Sequence, residues 1–256
     1  MDIRTGAVSG SKIRKKIYND VIKHSCKLFN ETTIISESLA KELKINRYHV
    51  VPLGGEPMVH KCEIENSLNE LNFLYVGIFD GRNIDVVIHS FIKFYKEYSQ
   101  RINTKLTIVG YSNNPNIALE LKELININSE VAIKYVGRVP NKELKKFFAD
   151  SNVGISYIPI TPWFDIQPPT KTYEYIINGL VCIATNTSEN RKVINSNNGI
   201  IINDDIESVY AGMCNIFNNR SSYRRHQVIT ESEKYSWKNI YESYIKNILN
   251  YESKIR

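Results

Sequence analysis

From residue 71 onward, short apolar runs alternate with stretches of helical periodicity. The runs have the length and composition of buried strands, and they cover Phe73–Gly77, Leu106–Gly110, Ala132–Gly137, Val153–Ile158, Val181–Thr185 and Gly199–Ile202. The clearest helical stretch places its apolar residues at a period of about 3.6: Ile84, Val87, Ile88, Phe91, Ile92 and Tyr95. This alternation predicts an α/β fold with a doubly wound, parallel, Rossmann-like sheet of about six strands, covered by helices on both faces.

The ends of three predicted strands indicate where a ligand would bind. Ligands of such sheets bind at the carboxyl ends of the strands, and these three strands end at Gly77, Gly110 and Gly137. Glycine lets the backbone approach a ligand closely or adopt a positive φ. A tight turn from strand to helix requires the same residue without any ligand, so both interpretations stand.

The first 60 residues have a less regular pattern, and we expect no complete domain there. A predicted helix over residues 12–29 has apolar residues on one side and a row of lysines and an arginine on the other. Two short predicted strands, Thr32–Ile35 and Tyr48–Leu53, flank a helix that Ser36 can cap. So few strands cannot bury a core alone. The segment should therefore pack with a final helix around Trp237 as a partial layer and leave an apolar surface exposed where the missing part of this incomplete domain would sit.

The charge balance indicates the kind of partner. A net charge of +6 and an isoelectric point near 9.0 favour nucleotide phosphates, acidic membrane surfaces or nucleic acid. We expect no nucleic-acid partner, because basic and aromatic residues are not interleaved in any recognition motif. The basic side of helix 12–29 is compatible with peripheral contact to an acidic membrane, and a solvated face is the simpler interpretation.

Cysteine usage and hydropathy indicate the compartment. The four cysteines, Cys26, Cys62, Cys182 and Cys214, are scattered, and neither they nor the histidines show metal-ligand spacing. We expect a reduced, cytoplasmic protein without a bound metal. No apolar run approaches the roughly 20 residues that span a bilayer, and no signal peptide opens the sequence.

The stretch over residues 163–191 concentrates the candidate chemistry. After a polar, Pro-rich loop over residues 165–169, Thr170 can cap a helix that starts at Lys171. Lys171 and Glu174 share the polar face of that helix. A helix N-terminus with free backbone N–H groups, a cation and a carboxylate suits a phosphate beside a sugar hydroxyl. A well-capped, solvated helix is the alternative.

This helix also resembles part of a known family. The sequences PTKTYEY at residues 169–175 and NGLV at residues 178–181 resemble the donor-site helix of group 1 glycosyltransferases. These enzymes have the GT-B fold and use nucleotide sugars. Many members place two glutamates around this loop; the second matches Glu174, and the first falls at Ile166. The nearest polar side chains to that position are Asp165 and Gln167.

Further motifs match the family in order and spacing. Leu74–Gly77 together with Arg82 resembles its first donor loop, although Ile78 stands where the family has arginine. The sequence YVGRVP, which contains Arg138 and Val139, resembles the base-binding loop of the family. There the backbone would contact the nucleobase.

The resemblance implies a set of site residues. The nucleotide sugar would be bound by Gly77, Arg82, Arg138, Val139, Thr170, Lys171 and Glu174. Lys171 and Glu174 would be the catalytic residues, with Glu174 on the ribose and Lys171 and Arg82 on the diphosphate. The sequence contains no Asp-x-Asp motif, which holds a metal in glycosyltransferases of the other main fold. The implied reaction is metal-independent, and the nucleotide sugar is a substrate, with no cofactor expected.

The resemblance also implies a domain organisation. Residues 1–60 would be a remnant of the N-terminal acceptor domain, 61–70 a linker, 71–233 the nucleotide-sugar-binding domain, and 234–256 a helix that crosses back. Two complete Rossmann-like domains need roughly 300–400 residues, so we expect a truncated acceptor domain.

Two functions compete on these grounds. One is transfer of a sugar to a glycan or lipid-linked acceptor, as in the synthesis of a surface polysaccharide. The other is nucleotide-sugar binding by a non-catalytic accessory subunit that needs a partner for the missing half.

Overall fold

The structure is a computed structural model that describes residues 1–7 and 11–253. The chain begins with a small parallel sheet of β1 (Asp2–Ile3), β2 (Thr33–Ile34) and β3 (His49–Val50). Helix α1 (Lys12–Ser25) lies between β1 and β2, and α2 (Glu37–Leu43) lies between β2 and β3. Ser36 caps α2 as predicted, because its Oγ accepts the N–H of Leu39 at 3.1 Å.

A six-stranded sheet forms the main body of the molecule. Its strands are β4 (Leu71–Ile78), β5 (Thr104–Tyr111), β6 (Ile133–Gly137), β7 (Val153–Ser156), β8 (Val181–Thr185) and β9 (Gly199–Ile202). Every pairing is parallel, in the order β6-β5-β4-β7-β8-β9. Phe73 of β4 is in register with Leu106 of β5. The predicted fold class is confirmed.

Helices cover both faces of this sheet. They are α3 (Ile84–Tyr98), α4 (Pro115–Ile127), α5 (Leu144–Ala149), α6 (Pro162–Asp165), α7 (Thr170–Ile177), α8 (Ile206–Asn219) and α9 (Arg225–Ser232). The described chain ends in α10 (Trp237–Ile240), a π-helical segment (Tyr241–Ile245) and α11 (Lys246–Ser253). The last three residues of the predicted C-terminal helix, like residues 8–10, lie outside the described residues.

The core lies on both sides of the sheet, because successive strand residues face opposite sides. Phe73 and Tyr75 of β4 pack in one apolar cluster with α3 and α8. Leu74 and Val76 pack in a second cluster with α5, α7 and α9. Burial on both faces explains why the strand is apolar at consecutive positions.

The N-terminal segment packs as a partial layer rather than as a separate core. Ile3, Ile34 and Leu39 belong to the same cluster as Leu74 and the residues of α7. The segment also touches the final helix, since a Cβ on Gly54 would lie 3.0 Å from the ring of Trp237. This is the arrangement that the sequence predicts for these two pieces.

Helix α1 has no buried residue. Its predicted apolar side faces solvent through Ile13, Ile17 and Val21, and Leu28 in the following turn is exposed as well. The exposed apolar surface expected for the N-terminal segment therefore lies here. Among the residues that the structure describes, no helix combines the length and the apolar character needed to cross a membrane.

Candidate functional site

The strand order changes direction between β4 and β7. From β4 the chain builds β5 and β6 on one side, then crosses over to build β7, β8 and β9 on the other. Strands β4 and β7 pair only where Phe73 meets Val153 and Leu74 meets Gly154. Beyond this point the strands separate and leave a crevice at their carboxyl ends. Ligands of doubly wound sheets bind at such a point.

The crevice contains a cavity of about 680 Å³. Its walls come from the carboxyl ends of β4 and β7, the loop before α3, and the segment from α6 to the start of α7. Its side chains include Asp80, Arg82, Trp163, Phe164, Gln167 and Lys171. Cations and aromatic rings therefore face the same space.

Tyr175 fixes α7 against the sheet beside this crevice. Its ring covers Gly154 so closely that a Cβ there would lie 2.3 Å from a ring carbon. Its hydroxyl accepts a hydrogen bond of 2.8 Å from the backbone N–H of Val76. Burial raises the pKa of Tyr175 well above its ordinary value, so the hydroxyl stays neutral. The contact between Tyr175 and β4 holds α7 in place where β7 has separated from β4.

A buried polar chain fixes the first turn of α7. The hydroxyls of Ser156 and Thr172 hydrogen-bond at 2.7 Å, and Thr172 donates to the side chain of Asn190 at 2.7 Å. Asn190 in turn donates to the carbonyl of Thr185 at 2.9 Å. All four residues are buried, where polar groups are stable only when hydrogen-bonded. The chain joins α7 to the ends of β7 and β8.

The other end of α7 is held by Asn178, which is fully buried. Its amide donates to the carbonyls of Glu174 and Glu56 at 2.8 and 3.0 Å. Its oxygen accepts the N–H groups of Met58 and Val59 at 2.7 and 2.9 Å. The helix that carries the predicted site residues is thus attached to the N-terminal segment.

The prediction that Thr170 caps α7 is wrong. The helix begins at Thr170 itself, and Pro169 occupies the cap position with extended backbone angles and no side-chain hydrogen bond. Proline has no side-chain acceptor, and no side chain that the structure describes caps the N–H groups of Thr170 and Lys171. Thr170 lines the crevice cavity at this point.

Lys171 and Glu174 form an ion pair across one turn of α7. Lys171 lies between the crevice cavity and a second cavity and lines both of them. Glu174 is partly buried and is not among the described residues that line either cavity. The structure therefore brings the two predicted catalytic residues together, with Lys171 nearer to the cavities.

Arg82 places its guanidinium over the ring of Phe164, 4.2 Å from the ring centre. It forms no ion pair with any residue that the structure describes. Burial lowers the pKa of this guanidinium, although arginine remains a cation at neutral pH. A guanidinium without a carboxylate partner can hold a phosphate through two hydrogen bonds.

The second cavity, of about 720 Å³, lies at the carboxyl ends of β4, β5 and β6. Arg138 stacks on the ring of Tyr111 at 4.6 Å, and Val139 lines the cavity beside it. Here the strands are so close that a Cβ on Gly110 would lie 1.9 Å from the carbonyl oxygen of Gly77. Only glycine fits at that position. The two cavities meet along the end of β4.

The side chains of Asp165 and Gln167 face different surroundings, Ser188 and the crevice cavity respectively. Asp165 accepts the N–H and the hydroxyl of Ser188 at 2.7 and 2.6 Å. Burial opposes its ionisation, but these hydrogen bonds and the nearby charge of Arg191 outweigh burial and lower the pKa of the carboxyl. Gln167 lines the crevice cavity. Of the two polar candidates near position 166, Gln167 faces the cavity.

The segment between α6 and α7 also reaches the N-terminal segment. The hydroxyl of Ser36 donates to the carbonyl of Ile166 at 3.2 Å. The amide of Gln167 donates to the carbonyl of Arg4 at 3.4 Å. One wall of the crevice cavity is therefore supported from outside the six-stranded domain.

Sequence reasoning did not identify the aromatic residues Trp163 and Phe164 as part of the site. The available signal was two large rings directly before a Pro-rich loop, WFDIQPP. The single turn α6 turns them toward the crevice, because Thr161 caps it by accepting the N–H of Phe164 at 3.2 Å.

Comparison with protein families defines the class. The family described as glycosyl transferases group 1 matches residues 70–219, more than half of the chain. The chain therefore belongs to the group 1 glycosyl transferases, as its motifs predict.

Solved structures share the fold. The pneumococcal O-GlcNAc transferase GtfA, in complex with UDP and GlcNAc, matches with a TM-score of 0.69 and 15% identity over 91% of this chain and 47% of its own. Alr3699/HepE of Anabaena, in complex with UDP and glucose, matches with a TM-score of 0.69 and 10% identity over 92% of this chain and 67% of its own. Sucrose-phosphate synthase of Thermosynechococcus elongatus matches with a TM-score of 0.69 and 14% identity over 97% of this chain and 65% of its own. The predicted GT-B type of fold is confirmed.

The lengths of these proteins differ from that of the present chain. It spans about half of GtfA and about two thirds of the other two structures. Among curated proteins, no significant match to the sequence was found.

Proposed function

We propose that the protein is a glycosyltransferase that binds a nucleotide sugar in the crevice and transfers the sugar to a glycan or lipid-linked acceptor. One observation carries the proposal. The cations Arg82, Arg138 and Lys171 and the N-terminus of α7 all line two contiguous cavities at the point where the sheet changes direction. Membership in the group 1 glycosyl transferases supports it.

The proposed roles follow from chemistry and position. Arg82, Lys171 and the backbone N–H of Thr170 hold the diphosphate and stabilise the charge that develops on it as it leaves. Arg138 and Val139 contact the nucleobase in the second cavity. These groups already supply the positive charge that the leaving diphosphate needs, so we propose a metal-independent reaction without a cofactor.

Two further residues act beside the diphosphate. Gly77 allows the donor to approach the end of β4 closely, since it carries no side chain. Glu174 accepts ribose hydroxyls once the ammonium of Lys171 turns from the carboxylate to the phosphate. That exchange leaves the Glu174 carboxylate as an acceptor for neutral donors.

The relatives suggest which donors to test first. GtfA and HepE were solved with UDP, so UDP-sugars come first. The free cysteines are consistent with a cytoplasmic location, where we place the protein in polysaccharide biosynthesis.

A thermal-shift panel of UDP, GDP and ADP sugars tests the donor site. A ligand at about 100 times its Kd stabilises the folded state by about 2.7 kcal/mol. In a chain of this size the Tm should rise by about 5 to 10 °C. Lys171→Gln and Arg82→Gln should each reduce the shift. Lys105→Gln is the matched control, because this exposed lysine lies near the amino end of β5, away from the cavities.

Release of UDP from the preferred donor, measured with glycan and lipid-linked acceptors, tests transfer. Acceptor-dependent release supports the transferase. If the donor binds but no UDP is released with any of the acceptors tested, the protein is instead the accessory, nucleotide-sugar-binding subunit. A panel without any shift would contradict both functions.

A further inference from the structure

The positive charge of the chain is concentrated on α1 and the turn after it. Residues 12–29 contain six lysines and arginines and one acidic residue, a net charge of +5, whereas the whole chain carries +6. The rest of the chain is therefore nearly neutral. A charge excess confined to one surface helix indicates an anionic partner at that surface.

These cations are available to a partner. Lys15 pairs with Glu42 at 3.3 Å. Within the described part of the chain, the other five cations form no ion pair: Lys12, Arg14, Lys16, Lys23 and Lys27. Their charge is not neutralised by the fold.

The apolar residues of α1 face outward beside these lysines. Ile13, Ile17 and Val21 are 74%, 57% and 56% exposed, and Leu28 is 83% exposed. Ile13, Ile17 and Val21 recur once per turn, so they form one row along the helix. A second row, one residue earlier in the sequence, holds Lys12 and Lys16 and then Asp20, and Lys27 precedes Leu28 in the turn that follows. The face that packs on the protein carries Asn19 instead, whose side chain accepts the N–H of Ala7 at 2.9 Å.

We propose that α1 and the following turn bind the surface of an anionic lipid bilayer. The apolar row would enter the boundary between headgroups and acyl chains, and the neighbouring lysines would bind anionic headgroups. Interfacial helices have this construction, with an apolar face bordered by lysines. A second copy of the chain would bring its own +5 charge to the same face and be repelled. Anionic lipid instead supplies acidic groups across the whole surface.

Helix α1 lies between this contact and the crevice. The ammonium of Lys15 lies 5.3 Å from the ring centre of Trp163, and Trp163 lines the crevice cavity. Lys15 stands one turn before Asn19, on the face that packs on the protein, so a bilayer on the opposite, apolar row would be separated from Trp163 by the thickness of α1. The inference does not depend on sugar transfer, and its test contains no nucleotide.

Flotation of the full chain with lipid vesicles tests the proposal. One vesicle preparation is phosphatidylcholine alone, and the other is phosphatidylcholine and phosphatidylglycerol in roughly equal parts. We expect binding to the anionic vesicles only, and weaker binding at high salt. The double variant Lys16→Gln/Lys27→Gln should bind about 25-fold more weakly, since each lysine near an anionic surface contributes about fivefold. The separate double variant Ile13→Ser/Ile17→Ser should lose most of its affinity for the anionic vesicles.

The controls separate this contact from charge in general and from misfolding. Lys105→Gln/Lys238→Gln removes two exposed charges elsewhere and should bind like the wild type. Every substitution is at an exposed side chain, so thermal unfolding followed by circular dichroism should be unchanged. Equal binding of the wild type to both vesicle types, or to neither, would overturn the proposal. Undiminished vesicle binding by the α1 variants would also overturn it. The same holds if the wild type forms an oligomer that Ile13→Ser/Ile17→Ser dissociates, while the protein binds no vesicles.

Discussion

At the scale of single residues, the site depends on the partner of Lys171. Its ammonium is paired with Glu174 and lines both cavities at the same time. A phosphate that enters the crevice competes with the carboxylate for this ammonium. In the proposed donor complex Lys171 binds the phosphate while Glu174 binds the ribose, so nucleotide binding would replace the ion pair between them.

Glu174→Gln should weaken nucleotide binding by about 1.5–3 kcal/mol, the scale of a hydrogen bond to a charged group. Its effect on the free energy of unfolding should be much smaller, because the ion pair is partly exposed. Titration calorimetry measures the first quantity and urea unfolding the second. Glu143→Gln is the matched control, since Glu143 also pairs with a lysine three residues away, Lys146. Equal affinities of wild type and Glu174→Gln would remove Glu174 from the site.

The stack of Arg82 on Phe164 should position the guanidinium for a diphosphate. Phe164→Leu should weaken binding of a nucleoside diphosphate, and a double-mutant cycle with Arg82→Gln should give a coupling energy of about 0.5–2 kcal/mol. Phe164→Tyr keeps the ring and should bind like the wild type. If calorimetry finds additive effects, Phe164 only shapes the wall of the cavity.

The sequence predicts the cations of the site better than its walls. Arg82 and Lys171 stand within motifs whose order and spacing follow the family, and both line the crevice cavity. Trp163, Phe164 and Gln167 reach the same cavity only through one turn of helix. A single turn is too short to show a periodicity, so no pattern distinguishes it from a loop.

At the scale of elements, the main sheet is predictable because strands buried on both faces have continuous apolar runs. All six predicted strands occur, with ends that differ by at most two residues. Strand β7 ends at Ser156, before the predicted end, because the N–H of Ile158 turns to the hydroxyl of Thr185 at 3.3 Å. A local sequence pattern does not reveal contacts of this kind between distant residues. For the same reason it does not reveal the hydrogen bonds by which Tyr175 and Thr172 hold α7 in place.

Tyr175→Phe should destabilise the fold by about 1–3 kcal/mol, because the buried N–H of Val76 loses its acceptor. Gly154→Ala should cost more, since the new Cβ has no space under the ring. Tyr173→Phe is the matched control on the same helix, because no described residue hydrogen-bonds its hydroxyl. Urea unfolding compares the three variants. If Tyr175→Phe and Tyr173→Phe are equally stable, the hydrogen bond to Val76 does not anchor α7.

At the scale of the whole molecule, Arg225 joins segments that are distant in the sequence. Its buried guanidinium donates to the carbonyls of Gly179 and Ser151, both at 2.8 Å, and of Glu65 at 3.5 Å. Burial lowers the pKa of Arg225 to about 10, which leaves it charged at neutral pH. The stretch predicted as a linker, residues 61–70, is therefore held against the six-stranded domain, although the domain boundaries themselves stay a prediction.

Arg225→Met should destabilise the protein by about 2–6 kcal/mol, since two close hydrogen bonds from a buried charged donor are lost at about 1–3 kcal/mol each. The carbonyls would lose their donor while remaining buried. Arg224→Met, at the exposed neighbouring position, should change stability by no more than about 0.5 kcal/mol. Denaturant unfolding of both variants measures the difference, and similar values would show that Arg225 does not hold these segments together.

The wall between α6 and α7 has a thermodynamic consequence. It borders the crevice cavity and is hydrogen-bonded to the N-terminal segment through Ser36 and Arg4. Where two binding equilibria share one element, each changes the equilibrium constant of the other by the same factor. A nucleotide that orders this wall would slow amide hydrogen exchange in β2 and α2 without touching either element. Detachment of the N-terminal segment would weaken nucleotide affinity by the same factor, although every group proposed to contact the phosphates would still be present.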